Sequence, residues 1–175
     1  MTVTHVPVII FAGSFSFAGM IEHGSRRVLD VLNDVGTDFV RIQRVEVFGH
    51  SASQPIEQLG EATVPKAAID CVMLCEEAHE APLRRQYSFV EKQPRKVFLT
   101  LAERQVRGTI MLKGNPDPRQ LLGRDAPIFF PVAEATVSAG DKIGRPIAAP
   151  VVLINKAKVS LLQIEREIPL NLLGI

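Results

Sequence analysis

The chain has 175 residues, of which 46% are apolar and 22% are charged, and its formal net charge is +1. This composition is typical of a folded globular protein and excludes an intrinsically disordered chain. No stretch reaches the ~18 apolar residues of a membrane-spanning helix, the first residues lack the basic segment of a signal peptide, and two cysteines make no disulfide framework. We therefore expect a cytoplasmic protein of one medium domain or two small ones.

The small net charge conceals two halves of opposite sign. Residues 1–80 carry 5 Lys/Arg and 11 Asp/Glu, a net of 5 − 11 = −6, and residues 81–175 carry 15 and 8, a net of 15 − 8 = +7. This asymmetry predicts either an anionic partner for the basic half or association of chains from acidic end to basic end. Two solvated surfaces that merely differ in charge are the alternative.

The first predicted element, VIIFAGSFSFAGMIEHG at residues 8–24, has two interpretations. Gly13, Ser14 and Phe15 resemble the turn of small nucleotidyltransferases, which implies a nucleotide-binding enzyme. However, the Gly-His pair that follows in that family is reversed here as His23-Gly24, and no Gly-Lys-Ser/Thr of a phosphate loop follows. The sequence therefore favours a β-hairpin of two apolar strands over a phosphate cradle.

A second copy of this pattern begins at residue 97, VFLTLAERQVRGTIMLKG. The order of elements agrees over about 70 residues, which predicts an ancient duplication. Chance similarity is the alternative. The matched pairs include Val8 with Val97, Gly19 with Gly108, Leu32 with Leu122, Phe39 with Phe129, Pro65 with Pro150 and Ile69 with Ile154.

Each half is predicted to contain a hairpin, one short helix and further strands. Ser25 and Asp117 are candidate N-caps of the helices, and Gly123 is a candidate stop. A parallel α/β sheet would need crossover helices of about ten or more residues, which the sequence does not supply. The predicted fold is mainly β, with two duplicated small β-barrel or half-barrel units, each with one short helix. The boundaries are an acidic unit at 1–80, a linker or arm at 81–96, and a basic unit with an apolar tail at 97–175.

The hairpin of the second half carries Arg107, Gly108 and Thr109 at its centre. With the strands that follow, it resembles the Sm-like and SH3-like small barrels, and uncharacterised bacterial proteins built from such units. The resemblance implies a strongly bent hairpin, a central strand and a closing strand. It also implies binding of RNA through the basic unit.

Basic side chains cluster around the arm, with Tyr87 and Phe89 between them. Such a surface suits a nucleic-acid backbone with stacked bases, and it equally suits an acidic protein surface. The candidate anionic-partner surface consists of Arg84, Arg85, Lys92, Arg95, Lys96, Arg104 and Arg107.

Cys71, Cys75 and His79 are four residues apart and would share one face of a helix, where they could hold a metal. On a strand, the two cysteines would lie roughly 13 Å apart, too far for a disulfide or a shared ion. We expect buried thiols, no metal and no cofactor. His5, His23 and His50 have no nucleophile or carboxylate at a suggestive spacing, so the sequence does not indicate an enzyme.

The chain ends in an apolar segment, REIPLNLLGI. Such a tail is expected to be buried on its own chain or on an open sheet edge of a partner. The candidate partner-binding residues are Ile168, Leu170, Leu172, Leu173 and Ile175. Together with the charge asymmetry, the tail predicts a non-enzymatic interaction or scaffold subunit that forms homo-oligomers or docks in a larger bacterial complex. The alternative is binding of RNA or single-stranded nucleic acid through the basic unit, and a nucleotide-binding enzyme is a third, less favoured hypothesis.

Overall fold

The computed structural model describes residues 4–50, 52–76, 92–140 and 145–166. Within these residues the fold is mainly β, with two short helices, α1 (Val28–Leu32) and α2 (Arg119–Leu122). The ten strands are β1 (His5–Ala12), β2 (Phe15–Glu22), β3 (Phe39–Phe48), β4 (Glu57–Pro65), β5 (Cys71–Leu74), β6 (Lys92–Thr100), β7 (Arg104–Lys113), β8 (Phe129–Ala139), β9 (Ile147–Asn155) and β10 (Leu161–Ile164). Single 3₁₀ turns, Lys66–Ala68 and Lys156–Lys158, precede β5 and β10.

All ten strands lie in one open antiparallel sheet, in the order β10-β6-β7-β8-β9-β5-β1-β2-β3-β4. The prediction of a mainly β fold is confirmed, but the sheet does not close into two separate barrels. The reason is β5, which pairs with β1 on one side and with β9 on the other. All four residues of Cys71–Leu74 are apolar and buried, as a strand covered on both faces requires.

The opening stretch forms a hairpin, as the sequence indicates. β1 pairs with β2 from His5 opposite Glu22 to Ala12 opposite Phe15. Gly13 turns the chain between them with a φ of 57°, which glycine adopts without steric cost. A strand rather than a helix follows this turn, so it lacks the helix N-terminus that a phosphate loop needs.

The order strand, strand, short helix, strand, strand, 3₁₀ turn, strand occurs in residues 5–74 and again in residues 92–164. In both parts the second and third strands lose register at one glycine, Gly19 or Gly108. The last part of the sequence match is wrong, because Ile154 lies in β9 whereas Ile69 directly follows the 3₁₀ turn Lys66–Ala68. Lys66 and Lys156, which are 156 − 66 = 90 residues apart, open the two 3₁₀ turns.

The two apolar cores are shared between the halves of the chain. The core around β6–β9 includes Phe11, Cys71 and Met73 from the first half. The core around β1–β4 includes Phe129 and Leu153 from the second half. The halves therefore pack as one body through β5 and β9.

Helix ends agree only partly with the sequence prediction. Ser25 does not cap α1, whose N-cap position is Arg27 and has no side-chain cap. Asp117 lies one residue before the N-cap of α2, and its Oδ1 accepts the backbone N–H of Arg119 at 2.9 Å. Gly123 ends α2, as predicted. Lys92–Lys96, assigned from sequence to the arm, lie in β6.

Candidate functional site: the sheet junction and the two sheet edges

The junction between the halves is the antiparallel pair β5–β9. Its register places Cys71 opposite Ile154 and Leu74 opposite Val151. Asn155 extends the pairing by one residue, because its N–H donates to Asp70 O at 3.1 Å. Its side chain, buried with the rest of the residue, donates from Nδ2 to Ile69 O at 2.9 Å. The junction is thus a continuous run of backbone hydrogen bonds, and the buried side-chain amide of Asn155 adds one more bond at its end.

Helix α1 completes the junction on one face of the sheet. Asn33, which follows α1, donates from Nδ2 to Phe129 O at 3.0 Å and accepts from Phe129 N at 2.7 Å. This pair of bonds gives the first residue of β8 the partners that a neighbouring strand would supply. Phe129 is 1% exposed and belongs to the core of the first half.

Arg104 also connects the halves, near the end of the junction formed by Asp70 and Asn155. Its Nη1 donates to Gly13 O at 2.9 Å, and its guanidinium lies 4.2 Å from the centre of the Phe11 ring. The same turn is also fixed by Asp70, whose Oδ2 accepts a hydrogen bond from the Gly13 N–H at 2.7 Å. Desolvation by the surrounding chain lowers the pKa of Arg104 from its usual value. This arginine therefore binds its own chain, whereas the sequence assigned it to a partner surface.

Two buried or half-buried lysines hold the loops that precede β3 and β8. Lys66 Nζ donates to Asp34 O at 2.7 Å and to Thr37 Oγ1 at 3.1 Å. Lys156 Nζ donates in the same way to Gly123 O at 2.8 Å and to Ala126 O at 2.5 Å. Burial lowers the pKa of Lys66, the effect of its desolvation exceeding that of Asp34 and Asp38. Both amines are occupied by backbone carbonyls, so they are structural.

The two outer strands, β4 and β10, each pair with one neighbour among the described residues. β4 pairs with β3, and β10 pairs with β6. Within the described part of the chain, the other side of each strand is an unpaired row of backbone N–H and C=O groups, which is a template for pairing with another chain. The two halves correspond at a shift of 90 residues, so β4 is the counterpart of β9, and β10 is the counterpart of β5.

Apolar side chains at these edges are exposed where their counterparts at the junction are buried. Leu161, at the start of β10, is 50% exposed, whereas Cys71, at the start of β5, is 0% exposed. Leu162 and Ile164 are half-buried, whereas Val72 and Leu74 are buried. The edge strand β10 is thus as apolar as the junction strand β5, but its side chains are less buried.

The two edges carry opposite charges. β4 has two exposed carboxylates, Glu57 and Glu61. An open groove beside β10 is lined by Arg95, Lys96 and Arg166, and also by Glu134 and Glu165. Three cations and two carboxylates leave the groove with a net charge of 3 − 2 = +1, so the two edges are weakly complementary in charge as well as complementary in hydrogen-bonding groups.

The structure brings only part of the predicted basic surface together. Arg95 and Lys96 line the groove, and Lys92 begins the same strand. Arg107 lies over the Phe98 ring at 4.4 Å on the outer hairpin. Arg84 and Arg85 lie outside the described residues, as do the tail residues Ile168, Leu170, Leu172, Leu173 and Ile175.

The described residues contain no group of three or more His, Cys, Asp or Glu that could hold a metal ion. Cys71 and Cys75 are on and just after a strand, not on a helix, and His79 lies outside the described part. Burial raises the pKa of the Cys71 thiol to about 12, which excludes it as a nucleophile near neutral pH.

Comparisons of the chain with protein-family models, with curated proteins and with solved structures found no match. None of the helices in the described ranges is long and apolar enough to cross a membrane. The candidate site therefore rests on the geometry of the sheet. Sequence reasoning missed the β4 and β10 edges, although the Lys-Ala pairs at 66–67 and 156–157 mark the shift of 90 that relates them to the junction.

Proposed function

We propose that this chain is a non-enzymatic assembly subunit that associates with copies of itself, β10 of one copy pairing with β4 of the next. The observation that carries the proposal is the β5–β9 pair, in which the same two kinds of strand already join the halves of one chain. Because β10 and β4 are different surfaces, the contact is head to tail and generates a ring or an open fibre.

The internal register predicts the register between copies. Subtracting 90 from the β9 residues and adding 90 to the β5 residues places Leu161 opposite Val64 and Ile164 opposite Glu61. Gln163 would then face Ala62. We infer a duplicated module as the origin of this relationship, since the same element order occurs in residues 5–74 and 92–164.

The contact between copies is expected to be more polar than the internal junction. Glu61 and Thr63 occupy the positions of Val151 and Leu153, so less apolar area is buried. The opposite charges of the two edges favour encounter of the correct surfaces and are screened by salt. We therefore expect reversible association that weakens as ionic strength rises.

Sedimentation velocity of the full chain over a range of concentrations, at low and at high salt, tests the proposal. We expect species larger than one chain at low salt and dissociation at high salt. Leu161→Gln should weaken association about tenfold, because it removes an apolar side chain from the contact. Ile147→Gln is the matched control, since Ile147 is 47% exposed but lies on β9. A monomer under all conditions contradicts the proposal.

Binding of single-stranded nucleic acid is the competing hypothesis for the basic groove. Glu134 and Glu165 line this groove together with its cations, which weakens its attraction for a phosphate backbone. Filter binding of a single-stranded oligonucleotide across a salt series separates the two. Tight binding with a steep salt slope by a monomeric chain would favour nucleic acid.

A further inference from the structure

Phe129 and Phe39 occupy corresponding positions, 129 − 39 = 90 residues apart, at the start of β8 and of β3. Phe129 is 1% exposed because α1 and Asn33 of the other half lie against the start of β8. Phe39 is 43% exposed, and no α-helix of the described residues contacts β3 to the extent that α1 contacts β8. An aromatic ring that is buried at one junction is open at its counterpart.

The helix that corresponds to α1 is α2, and it also presents an uncovered side chain. Leu122 is 38% exposed, whereas its counterpart Leu32 is fully buried. If β10 pairs with β4 of a second copy as β5 pairs with β9, α2 lies beside β3 of that copy as α1 lies beside β8. The two exposed apolar side chains then meet.

We infer that α2 of one copy packs Leu122 against Phe39 of the next copy, so that a second copy of this chain is the occupant of this apolar surface. The inference rests on the proposed head-to-tail pairing and specifies its second contact. Opposite charge of the paired edges supports the same occupant, because the acidic β4 lies beside β3 and the basic groove lies beside β10.

The same comparison identifies what makes this contact weaker than the internal one. Asn155, which closes the internal ladder, corresponds to Pro65, which has no N–H and no side-chain amide. Proline on an edge strand limits pairing with another chain. Asn33, which clamps Phe129, corresponds to Gly123, which has no side chain to form such a clamp. Because both positions lack hydrogen bonds that the internal junction has, we expect the contact between copies to be weaker and reversible.

Cysteine cross-linking tests the Leu122–Phe39 contact directly. In a Cys75→Ser background, Phe39→Cys and Leu122→Cys chains are mixed and treated with a short bismaleimide. We expect a covalent dimer from the mixture and not from either chain alone, because the contact is head to tail. Ile56→Cys, at an exposed position of the first half, replaces Phe39→Cys in the control mixture.

Substitutions give an independent measurement. Phe39→Ser should weaken association about tenfold by sedimentation velocity, whereas Phe15→Ser should not, although Phe15 is 46% exposed. Pro65→Asn should strengthen association up to about tenfold, because it restores the N–H and the amide of Asn155 at a residue with similar backbone angles. Unchanged association in Phe39→Ser, or no mixed dimer, overturns the inference.

These outcomes are distinct from failure of the proposed function. If the wild-type chain associates but Phe39 and Leu122 do not cross-link, copies associate and the position of α2 is wrong. If the wild-type chain remains monomeric at every concentration and salt, the head-to-tail pairing itself is wrong and this contact with it.

Discussion

The side-chain amide of Asn33 forms a two-bond pair with the backbone of Phe129, 96 residues away. This contact joins a helix end of the first half to a strand of the second half and orients α1 on the shared core. An amide side chain here takes the place of a strand neighbour, and its removal is expected to affect the whole fold.

Asn33→Ala should therefore lower the free energy of unfolding by about 1–3 kcal/mol, because the Phe129 N–H loses its partner in a half-buried place. Asn115→Ala, at an exposed position, is the matched control and should change it by less than about 0.5 kcal/mol. Urea unfolding followed by circular dichroism measures both. Equal effects of the two substitutions would show that the amide pair contributes little.

Gly108 is required by close approach of a neighbouring strand. A Cβ at this position would lie 2.5 Å from Val132 Cγ1 and 2.7 Å from Ala133 O, distances that a folded chain does not accommodate without movement. Gly108→Ala should destabilise the fold by about 1–3 kcal/mol. Gly49→Ala is the control, since nothing lies within 4 Å of its Cβ. Urea unfolding measures both variants. A Gly108→Ala chain that unfolds at the same urea concentration as the wild type would contradict this packing.

Acid should destabilise the first half through two aspartates. A hydrogen bond from Arg27 lowers the pKa of Asp30, and hydrogen bonds from Arg26 and Gly36 lower the pKa of Asp34. Since the folded-state pKa values lie below the ordinary 3.8, this stabilisation is present above that pH and is lost as the pH falls through the lower values.

Urea midpoints measured from pH 6 to pH 3 test this expectation. The midpoint of the wild type should fall more steeply toward pH 3 than that of the Asp30→Asn, Asp34→Asn double variant. The double variant lacks both titrating groups, so only the remaining carboxyls contribute to its slope. Parallel curves for the two proteins would exclude a contribution from these aspartates.

The two cysteines should differ in reactivity. Cys71 is buried in the sheet, which raises its pKa to about 12, whereas Cys75 is exposed at the surface, where partial desolvation and the nearby Glu76 raise its pKa from the ordinary value. Ellman's reagent at pH 8 should label one thiol per native chain and two in denaturant. Cys75→Ser should abolish labelling of the native chain, and rapid labelling of that variant would contradict the central position of β5.

Several elements follow from local sequence. Two apolar runs joined by the Gly13-Ser14 turn predict the first hairpin, and Gly123 predicts the end of α2. The absence of long helical patterns predicts a mainly β fold. These features depend on contacts between residues close in sequence, and the pattern of apolar residues and the turn residues indicate such contacts.

Two predictions went wrong where the chain offers equivalent local choices. Ser25 is a suitable cap by type, but it lies in a turn in which the Arg26 N–H donates to His23 O, and α1 begins only after Arg27. Matching Ile69 with Ile154 by similarity misplaced the last strands by five residues, since the counterpart of Ile69 is Val159, and 159 − 154 = 5. Apolar residues recur too often in β strands for identity to determine register.

The sequence alone determined the strand-rich composition, the first turn and the opposite charges of the two halves, because each is encoded in residues close together in the chain. Only the tertiary structure decided that β5 lies between β1 and β9, which leaves β4 and β10 at the edges. That choice depends on burying both faces of Cys71–Leu74 between two halves, and no local pattern specifies which strand such a segment will meet.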